Sequence, residues 1–298
     1  MDPLVFGLVA GAAVLHVAWN VLLKTAGDPL RAAAIGMTSA AAVIVPAAAI
    51  GWVVIGRPPI PPEAIGLSIL SGVLEAAYFG FLAAAYRRGD LSVVYPIARG
   101  TAPLLAVAVG IGVLGERLGP AGITGVGLLL VGLLTLQRPW RFLRLANRSP
   151  GSGDPAVLFA LATGVMIAAY SAVDRVGARL VEPWLYAGLI WASCMVFLWA
   201  YVWFRRTVLR APDGPGPFDR RRAAIGGWIT LSAYLLILVA FSVAPLTAVA
   251  PLRESAIVLA SGWGTMRLGE GRGRRETIRR LAASALVVAG AILLAIDG

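Results

Sequence analysis

Tyr95-Pro96-Ile97-Ala98-Arg99 opens an apolar run that closes on Leu114-Gly115-Glu116-Arg117. Pro251-Leu252-Arg253-Glu254 opens a second run that closes on Leu268-Gly269-Glu270. From arginine to glutamate the separation is 17 in both, 99 to 116 and 253 to 270. A proline flanks each arginine: Pro96 and Pro103 in the first run, Pro251 in the second. Weaker pairs extend the correspondence. Trp19-Asn20 followed by Lys24 matches Tyr170-Ser171 followed by Arg175, and Tyr78 matches Tyr234, at offsets between 151 and 156. The drift is what loop insertions between two copies of one unit produce. The expected domains are a first repeat over 1–146 and a second over 147–298.

Composition says where such a duplication lives. The chain has 298 residues, of which 59% are hydrophobic and 14% charged, with a mean hydropathy of +0.82. Soluble domains are about 45–50% apolar and about 25% charged. Disordered, collagen-like and ordinary soluble-enzyme chains are excluded, and an integral membrane protein remains. One Cys (Cys194) excludes a disulfide framework and cysteine metal clusters, and one His (His16) excludes poly-histidine sites. No metal or cofactor is expected. The net charge of +11 is carried by arginine clusters between apolar runs, as at Arg220, Arg221 and Arg222. That placement points to lipid headgroups as partner and away from nucleic acid.

Ten stretches approach the roughly 20 apolar residues that a spanning helix needs. They run over 3–23, 31–55, 64–86, 92–114, 119–136, 156–176, 184–204, 223–243, 247–267 and 277–296. None alternates as a barrel strand does, so the expected fold is all-α with ten transmembrane helices. The opening Met1-Asp2-Pro3 has no basic region, so the first span is read as a permanent helix rather than a signal peptide. Small residues, among them the Gly7/Gly11 pair and Gly122, Gly125, Gly127 and Gly132, suit close helix packing. Five is odd, so two five-span halves lie inverted in the membrane. Secondary transporters use that architecture and bind solute near the midplane between the halves.

The chain resembles the drug/metabolite transporter superfamily, in its ten-helix form with two EamA-type repeats. The resemblance is carried by His16-Val17-Ala18-Trp19-Asn20, by Tyr95-Pro96-Ile97-Ala98-Arg99 with Leu114-Gly115-Glu116-Arg117, and by Pro251-Leu252-Arg253-Glu254 with Leu268-Gly269-Glu270. It departs at Gly271, where the first half has Arg117. It implies a proton- or gradient-linked carrier of small metabolites, often an exporter, and cytoplasmic termini.

Charges within spans are costly and usually face a cavity. Glu75 sits at the middle of the third span. It reads either as a proton-coupling or cation-binding carboxyl, or as a structural partner of Arg99 or Arg253. Arg99 and Arg253 offer a planar fork to an anionic substrate group, or hold Glu75 and Glu254. Glu254 follows Arg253 directly, so on a helix the two diverge by about 100° and need not pair. His16, Trp19 and Asn20 share one helical face, which suits a cavity wall or an interhelical hydrogen-bond patch. Tyr78, Tyr95, Tyr170, Ser171 and Tyr234 complete the substrate-binding or coupling candidates. Lys24, Asp174 and Arg175 lie at span ends, where snorkelling to the interface is expected. Glu116 and Glu270 sit in short connectors and position loop backbone or gate. Asp28, Asp154 and Asp213 read as turn residues.

Catalysis is not expected. The chain has neither a Ser/His/Asp set nor a phosphate-binding G-x-x-x-x-G-K motif, so it reads as a non-enzyme. Odd-numbered connectors carry 20 of the 26 Lys and Arg residues and even-numbered ones carry 4. By that bias the odd connectors are cytoplasmic and both termini lie outside the cell (inner) membrane, against what the resemblance implies. The expected function is secondary active transport of small metabolites such as amino acids. Export of multiple drugs or organic cations is the alternative, and a channel or structural subunit is the reading from another class.

Overall fold

A computed structural model describes residues 2–24, 28–88, 91–138, 155–210, 219–254 and 274–297. Regular structure among them is helical throughout. Ten helices follow in chain order: α1 (Pro3–Lys24), α2 (Pro29–Val54), α3 (Pro62–Arg88), α4 (Leu91–Gly112), α5 (Pro120–Gln137), α6 (Pro155–Gly177), α7 (Pro183–Thr207), α8 (Arg220–Val243), α9 (Leu246–Glu254) and α10 (Arg274–Ile296). Of the ninth expected span, the part beyond residue 254 lies outside the described residues.

The starts have local causes. Proline opens α2, α3, α5, α6 and α7, where its missing N–H costs nothing. Asp28 is an N-cap rather than a turn residue: its Oδ1 accepts from the Leu30 and Arg31 amides at 3.1 and 3.2 Å. Asp219 caps α8 in the same way, accepting from the Arg222 amide at 3.0 Å.

Five helices, α2, α3, α6, α7 and α8, are each long and apolar enough to cross a membrane. The apolar stretches of α1, α4, α5 and α10 are shorter. Large apolar side chains such as Val14, Val54, Val113, Trp203 and Ile296 face outward, which lipid tolerates and water does not.

The extensive helix pairings join the first five helices to the last five. α1 packs on α8, α2 on α7 and α8, α3 on α6 and α7, α4 on α6 and α9, and α5 on α10. Exchanging α1–α5 with α6–α10 in order maps α1 on α8 to α6 on α3 and returns every pairing of this set but one: α4 on α6 becomes α9 on α1, a smaller contact over the described part of α9. The end contacts define two faces. Gly119 before α5 binds Asp297 after α10 at 2.9 Å, and Arg175 at the end of α6 reaches Phe241 at the end of α8. At the opposite face, Arg88 ending α3 covers the ring of Phe159 near the start of α6 at 4.8 Å.

Close packing falls at particular glycines. A Cβ on Gly36 of α2 would lie 2.8 Å from the Ala223 carbonyl of α8, and one on Gly125 of α5 would lie 2.8 Å from the Gly290 carbonyl of α10. Gly132 likewise faces Ala283 and Val287. The Gly7/Gly11 pair does not work this way, since Gly7 has nothing within 4 Å and Gly11 only a leucine methyl at 3.4 Å.

Candidate functional site

Glu75 is buried at the midpoint of α3, and α1, α6, α7, α8 and α9 bring side chains around it. Between them lies a cavity with about 40 Å³ open to water centres. At about 10–15 Å³ per water that is room for roughly three waters, or a small polar solute after modest adjustment. His16, Trp19, Glu75, Tyr78, Tyr170, Tyr234 and Arg253 line it, all of them sequence candidates. Met37, Phe79, Trp191 and Thr230 also line it, and no motif marked them. Asn20 and Tyr95 fall on α1 and α4, outside the residues whose side chains are described.

The rings form one continuous belt. Centroids step from His16 to Trp19 (5.6 Å), Phe79 (6.1 Å), Tyr78 (4.9 Å), Tyr170 (5.9 Å), Tyr234 (6.2 Å) and Trp191 (5.0 Å). The Trp19 indole N–H donates to His16 Nδ1 at 3.0 Å, leaving the ring proton to Nε2. Such a belt presents both π faces and hydroxyls to a bound molecule.

Charge is concentrated beside it. Glu254 Oε1 accepts from Arg99 Nη1 at 2.9 Å and lies 3.4 Å from Arg253 Nε. Adjacency on the helix therefore does not keep Arg253 and Glu254 apart, because the long guanidinium stem folds back to the same oxygen. Arg253 Nη1 points at Ser171 Oγ at 3.5 Å. Among the described residues, both arginines form ion pairs with Glu254 and neither forms one with Glu75. Instead the Tyr234 hydroxyl and the Cys194 thiol lie against its carboxyl.

Asp174 corrects the reading of a snorkelling span end. It is fully buried, and Tyr234 donates a hydrogen bond to its Oδ2. α6 runs on to Gly177, and the Tyr186 ring packs where a Cβ on Gly177 would stand, so the helix end is roofed by α7. Its spacing from Tyr170 and Ser171, four and three positions, was the available signal. Arg175 does not snorkel either. Its Nε is 3.3 Å from Glu116 Oε1 and its Nη1 donates to the Phe241 carbonyl at 2.9 Å.

Glu116 ties the α4–α5 connector to the start of α9. It accepts from the Leu246 and Thr247 amides at 2.7 and 2.9 Å, capping the start of α9 from the α4–α5 connector. Gly115 makes this possible: its φ of +65° turns the chain so that the Glu116 amide reaches the Gly110 carbonyl at 2.9 Å. The repeated Gly-Glu thus has a physical meaning in its first copy. Glu270 lies outside the described residues. At the other face a second cavity, lined by Leu22, Gly36, Arg222, Gly226 and Thr230, meets the first through Trp19, Met37, Phe79 and Trp191. The second cavity lies on the Arg222 side of the buried charges, opposite Glu116.

The comparisons bear on the fold that carries this site. Residues 4–137 match the model of the EamA-like transporter family. A solved crystal structure of a protein superposes with a TM-score of 0.67 over 99% of this chain and 98% of its own length, at 20% identity, a likeness that shows the fold. No curated protein matches the chain. Over these matched residues the chain resembles a transporter family, and the five long apolar helices fit a multi-pass membrane protein.

Proposed function

We propose that the chain is a secondary active transporter of small metabolites, proton-linked through Glu75, with amino acids or similar zwitterions as substrates. One observation carries the reading: a cavity at the level of the α3 midpoint, between the two sets of five helices, holds a carboxyl, a guanidinium and a ring belt together. Arg253 suits a substrate carboxylate, and Glu75 with the rings suits an ammonium. The exchange of helix pairings between α1–α5 and α6–α10 supports two inverted repeats, split near residue 146. A second cavity on the Arg222 side, opposite the tie at Glu116, supports alternating access. With the arginine-rich face in the cytoplasm of the cell (inner) membrane, this side faces inward and the termini lie outside.

An organic-cation exporter is the second reading, favoured by the belt and by two buried carboxyls, Glu75 and Asp174. Proteoliposomes carrying a pH dye, challenged with separate pools of amino acids, organic acids and organic cations, discriminate between the two. Solute-driven proton movement with saturable tracer counterflow is expected for the amino-acid pool. Response to the cation pool alone selects the second reading, and flux without counterflow marks a channel.

A further inference from the structure

Behind the cavity wall, the Ser71 and Tyr186 hydroxyls face the Asp174 carboxyl, though neither makes a hydrogen bond of good geometry to its Oδ1. All three residues are fully buried. The other carboxylate oxygen of Asp174 is held by Tyr234, whose hydroxyl also faces Glu75. A carboxylate at such depth is expensive, and hydroxyls beside it can donate to it when it is ionised or accept from it when it is protonated.

We propose that Asp174 is a second proton-binding site, exchanging a proton with Glu75 through the Tyr234 hydroxyl. The inference rests on the reading of Glu75 as the coupling carboxyl. The hop balances: Glu75 gives its proton to the Tyr234 oxygen as Tyr234 gives its own to Asp174. One proton moves, and the tyrosine ends neutral. A proton on Asp174 Oδ1 can donate to the Ser71 or Tyr186 oxygen, and once it leaves, the two hydroxyls can donate to the carboxylate instead.

Charge counting favours the same occupant. Among the described residues, Arg99, Arg253 and Glu254 together carry one net positive charge in the buried cluster, and Glu75 and Asp174 ionised together would bring two negative ones. One proton on the pair makes the whole set neutral, which a low-dielectric interior favours. The groups facing Asp174 are Ser71 and Glu75 from α3, Tyr186 from α7, Tyr234 from α8 and Arg253 from α9. Three converging oxygens fall short of the six or so that a hard metal cation takes.

The test is infrared spectroscopy of the purified full chain in detergent, following the carbonyl band of a protonated carboxylic acid as pH is raised. The wild type should lose the band in a step whose midpoint moves in Asp174→Asn and in Glu75→Gln, and the double variant should lack it. A midpoint and band unchanged by Asp174→Asn overturn the proposal. If that variant does not fold, Tyr234→Phe serves: a displaced midpoint supports the relay, and an unchanged one overturns it. Sodium chloride replacing N-methylglucamine chloride at fixed pH should leave the band alone, and its discharge by sodium would reassign the site to a metal cation. No solute is needed, so this result is independent of whether solute-driven proton flux is found.

Discussion

Arg99 and Glu254 meet at 2.9 Å in the centre of the bundle although 155 positions separate them. The contact joins α4 to α9, the two helices that carry the duplicated proline-arginine pattern. Arg253 approaches the same carboxylate from the second copy, so one glutamate serves both arginines. Removing one member of a buried pair leaves an uncompensated charge, at a cost on the order of 3 kcal/mol. Arg99→Gln is expected to lower stability in mild detergent by about that amount. Arg99→Lys, which keeps the charge but not the fork, should lose less. Thermal unfolding of the two variants side by side checks this.

The contact of Glu116 with the start of α9 is expected to hold one face closed. A hydrogen bond to a charged group is worth about 1.5–3 kcal/mol, so losing the carboxylate should favour opening by more than about tenfold. A cysteine placed at Thr247, which is fully buried, in a Cys194→Ala background reports this. Maleimide should label it much faster in Glu116→Gln than with Glu116 intact. Gly115→Ala, forced into a left-handed backbone, should act in the same direction. Equal labelling rates in all three would remove the latch.

Two glycine substitutions separate close packing from mere flexibility. A Cβ on Gly290 would stand 2.8 Å from the Leu129 amide, whereas one on Gly127 meets nothing within 4 Å. Gly290→Ala should therefore cost about 1–3 kcal/mol by pushing α10 off α5. Gly127→Ala should be neutral or gain up to about 1 kcal/mol from helix propensity. Melting temperatures of the two variants in the same detergent check the contrast.

Much of this was legible in the sequence because membranes impose long apolar runs, and because a duplicated pattern survives loop insertions. Glu75, Arg99, Arg253 and Glu254 stood out since charge at a span centre is rare. Asp174 did not, because hydropathy ends the sixth span near it, while the roof that buries it comes from Tyr186 on the next helix. Trp191 and Phe79 were hidden for the opposite reason: an aromatic in an apolar run looks the same facing lipid or cavity. The pairing of Glu254 with both arginines needed three-dimensional reach that helical angles alone do not give. Glu116 was visible as a repeated Gly-Glu, but its partners Leu246 and Thr247 are backbone amides, which no side-chain pattern reveals.

The central claim is that Glu75 couples solute to proton within the cavity. The measurement is internal pH in dye-loaded proteoliposomes given an inward or outward gradient of the responding solute pool, wild type beside Glu75→Gln. Glu75→Gln should abolish solute-driven proton movement while the protein still folds and inserts. Proton movement in the variant equal to wild type would contradict the account.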